Sequence, residues 1–348
     1  MNFDHGKHRN SNVSNFMSGK ESEMKMEEKE EKKPLRVGTL FSGIGAFEQA
    51  LKQMKIEHEI VFACDNGERY LKQTDDEIRA EAKELGLKTK KELEQFVDDL
   101  YEKTGKPNYV KQSYFANYEI TENRWHNDVR FMDGTEYKGK VDILVGGSPC
   151  QSFSTYGKKR GLEDARGTLF YDYARLIKEI QPKVFIYENV AGCLTHDHKR
   201  TWQVMRGVWE SIGYELVYDI LNAADYNHPQ LRKRLFIVGF RKDIYNKEYV
   251  FPPKKELQHK STEYLEQGPV DDIYYLGRKG FEWVTNPEKN IRRSRVNQDV
   301  IGCQTANQQD NWIGDFRVEP PQPHHYNNPK IYIGKYKIDG VNEEEAVA

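Results

Sequence analysis

Cys150 stands in Ser148-Pro149-Cys150-Gln151, directly after the apolar run Val141-Asp142-Ile143-Leu144-Val145 and two glycines. That order puts a thiol on a loop at the carboxyl end of a strand, where open α/β sheets bind their ligands. A thiolate there is a strong nucleophile once nearby cations or helix ends lower its pKa, so the chemistry to expect is covalent catalysis. Glu188, in Ile186-Tyr187-Glu188-Asn189-Val190, places a carboxyl at the end of another core strand. In an apolar cleft it would have a raised pKa and act as a general acid. Gln230, Arg232 and Arg234 alternate ahead of the apolar stretch Leu235–Phe240. Along an extended segment that spacing aims all three to one face, as a bound anion or carbonyl requires. The loop after Cys150 crowds Ser152, Ser154, Tyr156, Lys158, Lys159 and Arg160 together, a set suited to phosphate oxygens.

A glycine turn, Phe41-Ser42-Gly43-Ile44-Gly45, opens the first strand-to-helix connection, and Asp65 follows Gly45 by 20 residues. Glycines admit close backbone approach, and an acid at that spacing suits ribose hydroxyls. The dinucleotide fingerprint needs a third glycine where Glu48 stands, so a nucleoside cofactor without phosphates fits better than a pyrophosphate. Asn127-Asp128-Val129 offers a second acid on a later loop. Taken singly, each feature has a plainer reading. Cys150 matches an inert core thiol, the glycines simple strand–helix packing, Glu188 a helix cap, the arginines a solvated basic edge and Asp128 an ordinary loop acid.

The elements that must position these residues follow from apolar periodicity. Strands are expected at Leu35–Leu40, Glu59–Cys64, Val141–Val145, Lys183–Tyr187, Tyr214–Leu221 and Leu235–Phe240. Helices are expected at Ala46–Met54, Leu169–Ile180 and Thr201–Ile212. The alternation implies an α/β fold with a doubly wound, mostly parallel sheet covered on both faces. Residues 1–33 are polar and read as a disordered leader, 34–240 as the catalytic domain, and 66–125 within it as a helical insertion patterned around Glu77–Leu85 and Lys90–Tyr101. From about Arg241 the periodicity fades, and 241–348 reads as a smaller domain of loops and short strands.

Composition narrows the class. With 37% hydrophobic and 31% charged residues, the 348-residue chain can bury an ordinary core. No stretch approaches a membrane span and the N-terminus lacks a secretory apolar core, so the expected compartment is the cytoplasm, with no membrane partner. Four scattered cysteines without CxxC spacing read as reduced thiols and argue against a metal site. A net charge of −2 leaves any nucleic-acid contact to local basic surface.

In order and spacing, FxGxG, an acid, Pro-Cys-Gln, Arg166-Gly167-Thr168-Leu169-Phe170, Glu-Asn-Val and QxRxR resemble the DNA (cytosine-5) methyltransferase family over about residues 35–240. The resemblance implies a Rossmann-like catalytic domain and methyl transfer from S-adenosylmethionine to carbon 5 of a cytosine flipped out of double-stranded DNA. It places Phe41, Gly43 and Gly45 around the cofactor's methionine part, Asp65 at its ribose and Asp128 at its adenine amino group. Cys150 becomes the nucleophile, Glu188 holds ring nitrogen 3 and Arg234 steadies the carbonyl oxygen, with Arg232 and Arg166 nearer the backbone or the closed loop. Residues 151–167 become a lid, with Gln151, Ser154, Arg166 and Gln230 as DNA contacts, and 241–348 the target-recognition domain.

Two departures shape the expectation. The 66–125 insertion exceeds the family's usual connection, and after Ala348 there is no Arg-Lys-Leu-Thr-Pro-like helix or Gly-Asn motif. The resemblance therefore implies a split subunit that needs a second polypeptide, or a truncated chain with little activity alone. The leading expectation is the modification enzyme of a restriction-modification system. Its competitors are an inactive or partner-dependent DNA-binding fragment and a tRNA cytosine-5 methyltransferase. A nicotinamide-dependent oxidoreductase is distant, because Glu48 spoils the phosphate turn and Pro-Cys-Gln would go unexplained.

Overall fold

The structure is a computed structural model that describes residues 33–148, 169–265, 275–276, 278–286, 288, 294–303, 314–318 and 331–332. Cys150, Gln151, Ser154 and Arg166 lie outside these residues.

The apolar runs and the amphipathic segments between them become alternating elements. They are β1 (Leu35–Leu40), α1 (Ala46–Gln53), β2 (His58–Cys64), α2 (Asp75–Glu84), α3 (Lys90–Lys103), α4 (Tyr109–Asn117), β3 (Trp125–His126), β4 (Ile143–Gly146), α5 (Leu169–Ile180), β5 (Val184–Val190) and α6 (Arg200–Ser211). Then follow β6 (Tyr214–Asn222), β7 (Gln230–Leu231), β8 (Lys233–Arg241), α7 (Arg278–Thr285), β9 (Ser294–Val296), β10 (Ile301–Gly302), β11 (Gly314–Val318) and β12 (Ile331–Tyr332).

Seven strands form one sheet in the order β3-β2-β1-β4-β5-β8-β6. The first five run parallel, and β8 lies antiparallel between β5 and β6. The mostly parallel, Rossmann-like α/β sheet expected from the sequence is present. On one face, α5 buries Phe170, Tyr173, Ala174, Ile177 and Ile180, the i, i+3, i+4, i+7 stripe of an amphipathic helix. Trp209 of α6 is fully buried, its ring centroid 5.1 Å from Phe170 and 5.2 Å from both Phe185 and Tyr187. Removing a ring of that kind costs roughly 3–5 kcal/mol. In β2 the register skips Val61, a bulge that turns Ile60 and Ala63 toward a second cluster with Tyr114 and Trp125 while Phe62 and Cys64 face the main core.

Two expectations change. The C-terminal region carries a helix, α7, whose Val284 packs with Phe316 of β11, so it is not only loops and strands. The run from Gln230 to Arg234 is not one extended strand. The Arg232 N–H donates to the Gln230 carbonyl at 2.9 Å and the Arg232 carbonyl accepts from Ala223, which separates β7 from β8. β7 then pairs with β10 instead of continuing the large sheet. Among the described residues, no helix is long and apolar enough to cross a membrane.

The amino ends of the three central strands are pinned by Asp142. Its carboxylate accepts from the Arg36 backbone N–H and guanidinium (3.1, 2.9 and 3.0 Å) and lies 2.9 Å from Lys183 Nζ. The Arg36 hydrogen bonds hold this carboxyl well below the usual carboxylate range. A lowered native pKa means the unfolded chain binds the proton more tightly, so the stabilisation is complete above about pH 4–5 and is lost as pH falls toward the native value. Asp142→Asn should therefore be less stable than wild type at pH 7, by about 1–2 kcal/mol given the partial exposure of Arg36. In urea unfolding that gap should narrow steadily below pH 4; a gap independent of pH would contradict the assignment.

Candidate active site

The crevice follows from strand order. β1 has β2 on one side and β4 on the other, so the connections leaving β1 and β4 diverge and open a cleft at the strands' carboxyl ends. The turn after β1 lines one wall. Phe41, Gly43 and Gly45 all have positive φ (53°, 54° and 87°), and the non-glycine Phe41 is held there while its side chain packs against the main core. Ser42 ties the turn to β2: its N–H donates to the Cys64 carbonyl (3.1 Å) and its hydroxyl accepts from the Cys64 N–H (3.0 Å). Asp65 then closes the wall. One carboxyl oxygen accepts from Gly43 N–H (2.9 Å) and the other from Gly67 N–H (2.8 Å). Each oxygen keeps acceptor capacity for a further donor. Among the described residues, a β-carbon added at Gly43 would meet nothing within 4 Å, so open space faces the turn beside this acid.

Asp128 follows β3 and is 7% exposed. Its oxygens are already engaged by the Tyr101 hydroxyl (2.7 Å) and by Arg130 through its N–H (3.0 Å), Nε (2.9 Å) and Nη2 (2.6 Å). Burial and the adjacent Asp128 push the Tyr101 hydroxyl well above the ordinary tyrosine range, so it stays a donor. An adenine amino group reaching Asp128 has to share these oxygens.

On the other wall, β4 runs out through Gly146, Gly147 and Ser148. A β-carbon at Gly147 would lie 2.6 Å from the Glu188 carbonyl oxygen and 3.2 Å from Glu188 Oε2, which is why a glycine is needed there. The chain three residues before Cys150 thus runs against the Glu188 carboxylate. The buried Ser148 hydroxyl sits 2.6 Å from the Tyr187 hydroxyl, which also accepts from Asn189 (3.0 Å). Glu188 pairs across β5 and β8: Phe236 is opposite it and Arg234 opposite Val190, so Arg234 is its diagonal neighbour. Arg234 Nε lies 2.9 Å from Glu188 Oε1. The apolar surroundings expected for Glu188 are replaced by a guanidinium and a 38% exposed side chain. Despite the break in the strand, Arg232 Nη1 and Arg234 Nη2 converge on Cys303 Sγ at 3.5 and 3.8 Å, and Gln230 sits where β7 meets β10.

Glu188, Arg234 and Arg232 are therefore brought together, as are Gly43, Gly45 and Asp65. Sequence reasoning missed Cys303 beside the arginines and missed Tyr118 and Asn108, which touch the glycine turn and Asp65 from α4's two ends. The only sequence signal for the latter pair was the aromatic run Tyr109, Tyr114, Phe115, Tyr118 inside a charged segment.

Residues 79–318 match the sequence model of a family described as C-5 cytosine-specific DNA methylase. An orphan methyltransferase, M.SPRI of Bacillus phage SPR, is 35% identical over 300 residues, covering 78% of this chain and 58% of that protein. The type II methyltransferase M.Eco47II of Escherichia coli is 49% identical over 118 residues, covering 34% of this chain and 28% of that protein. The chain thus spans little more than half the length of the phage relative. Among solved structures, Schizosaccharomyces pombe Dnmt2 methyltransferase superposes with a TM-score of 0.55 at 16% identity, over 83% of this chain and 77% of that one, a likeness of fold. With a family match over more than half of its residues, laid on the sheet and the two walls just described, this chain belongs to the C-5 cytosine-specific DNA methylases.

Proposed function

We propose that this chain carries the catalytic and DNA-binding parts of a sequence-specific DNA cytosine-5 methyltransferase, acting on duplex DNA in the cytoplasm as the modification enzyme of a restriction-modification system. The observation that carries the reading is the Glu188–Arg234 pair set against Gly147, three residues before Cys150, at the same sheet end as the Gly43–Asp65 wall. In this reading residues 34–240 are the catalytic domain, 241–348 read the target sequence and 1–33 form a leader.

The first wall fits S-adenosylmethionine better than a phosphate-bearing cofactor. Glu48 in the first turn of α1 is buried and bonded to Tyr114, so the helix start already carries an acid, which disfavours a bound pyrophosphate there. Asp65 offers acceptor oxygens for a ribose diol beside the open space at Gly43, with Phe41 and Gly45 completing the turn and Asp128 at the far end. When bound, S-adenosylmethionine supplies the methyl group.

Carbon 5 of cytosine is a poor nucleophile, and the proposed residues change that. The Cys150 thiolate adds to carbon 6, the displaced electron pair moves through carbon 5 toward ring nitrogen 3, and Glu188, entering with a proton, gives it to that nitrogen and is left as the carboxylate beside Arg234. Arg234, already oriented by Glu188, faces the carbonyl oxygen, where negative charge develops. After carbon 5 takes the methyl group, its proton leaves to water, the electron pair re-forms the carbon 5–carbon 6 double bond and expels the Cys150 sulfur as thiolate, and nitrogen 3 returns its proton to Glu188. The base must leave the helix first, at a cost of a few kcal/mol that DNA contacts offset. Gln151, Ser154, Arg166, Gln230 and Arg232 are the proposed contacts.

The decisive experiment uses duplex DNA containing 5-fluorocytosine, with S-adenosylmethionine present. Fluorine blocks loss of the carbon-5 substituent, so wild type should form a denaturation-resistant adduct and Cys150→Ser none. An adduct that survives in Cys150→Ser, or none with wild type, would overturn the reading. A second expectation concerns Gly147. Gly147→Ala should push the Glu188 backbone away and lower turnover by about 10²-fold or more, the scale seen when a group stabilising transition-state charge is lost. Unchanged turnover would show that the fit at Gly147 does not matter.

A further inference from the structure

Residues 66–125 reach every loop of the proposed cofactor wall. α4 is nine residues long and spans two of them. At its start, Asn108 caps the helix by accepting from Lys111 N–H (2.9 Å), while its amide donates to the Asp65 carbonyl (3.0 Å). Its side chain also fills the place of a Gly67 β-carbon, 2.2 Å from Oδ1. Just past its end, the Tyr118 hydroxyl donates to the Gly45 carbonyl at 2.6 Å. The Tyr118 ring lies 2.2 Å from where a Gly45 β-carbon would be, so the glycine serves this contact as well as its φ of 87°. Between the two, Tyr114 is fully buried and donates to Glu48 of α1 at 2.6 Å, its ring 4.8 Å from that of Tyr118. From α3, Tyr101 holds Asp128. The loops after β1, β2 and β3 thus each receive a hydrogen bond from one segment.

We infer that segment 66–125 is the positioning element of the cofactor site and that Tyr118 is its working residue, setting the Gly43–Gly45 turn against Asp65. The inference rests on the cofactor reading above. Tyr118 suits a test because its hydroxyl is not needed to satisfy the turn. The Gly45 carbonyl also accepts from Gln49 N–H at 2.9 Å, so removing the hydroxyl leaves no orphaned acceptor and costs the fold little. Burial, with the nearby Glu48, pushes the Tyr118 hydroxyl up to about 12, so it remains a donor across the working pH range.

The test is titration of the full-length chain with S-adenosylmethionine, with duplex DNA affinity, melting temperature and steady-state kinetics measured alongside. Tyr118→Phe should raise the Kd for S-adenosylmethionine roughly three- to tenfold, the range for one hydrogen bond. Its melting temperature and DNA affinity should stay at wild-type values, and the loss should fall on the cofactor KM instead of kcat. Tyr118→Ala, which also removes the ring behind Gly45, should weaken cofactor binding further, so that Phe is a partial rescue. Wild-type cofactor affinity in both variants would overturn the inference and leave the methyltransferase reading standing. So would parallel losses of DNA affinity and melting temperature, the mark of a merely structural role. A wild-type chain that binds no S-adenosylmethionine would overturn the reading itself, and the inference with it.

Discussion

Glu188 and Arg234 meet because β8 enters the sheet against the direction of its neighbours. Antiparallel pairing puts Arg234 diagonally across from Glu188 at the strands' edge, and their 2.9 Å contact follows from register. Both side chains are partly exposed, so the pair adds only about 0–1 kcal/mol to folding. In the proposed mechanism its use is orientation. A carboxylate and a guanidinium already in contact at the mouth of a cleft keep a fixed relation to a ring that meets both of them from the cleft. Gly147 has to be a glycine because the chain leading to Cys150 passes against this same glutamate.

The opposite wall is built by a different device. Among the described residues, side-chain hydrogen bonds tie the loops after β1, β2 and β3 together. Asp65 bridges Gly43 and Gly67, Ser42 bonds Cys64, and the helices of the insertion reach in from outside through Tyr118, Asn108 and Tyr101. The glycine turn is strained at Phe41, with φ of 53°, and such a conformation persists only where surrounding contacts over-determine it. A long insertion placed next to that turn has a physical reason to be there.

Much of this was legible from residue patterns. α5 occupies Leu169–Ile180, as its stripe of apolar positions predicts, and β1, β2, β4, β5, β6 and β8 fall within a few residues of the expected runs, since buried parallel strands read as short apolar stretches. α4 did not show, because Tyr-Val-Lys-Gln-Ser-Tyr-Phe-Ala-Asn buries only Tyr114 and has almost no amphipathic contrast. The break at Arg232 was hidden for a related reason: alternation of polar residues is the same whether or not the backbone turns. Partners distant in sequence, such as Tyr101 for Asp128 or Cys303 for Arg232, leave no local trace. The residues proposed to carry chemistry stood out by type and spacing, whereas the groups that touch them did not.

The central claim is that Glu188 and Arg234 act on the base as one unit. A double-mutant cycle on turnover measures this directly, using Glu188→Gln, Arg234→Ala and the double variant on one duplex substrate. The account predicts strong non-additivity, with the double variant hardly slower than the worse single variant. Losses that simply multiply would mean that the two side chains work independently, and that their contact in the folded chain has no part in the chemistry.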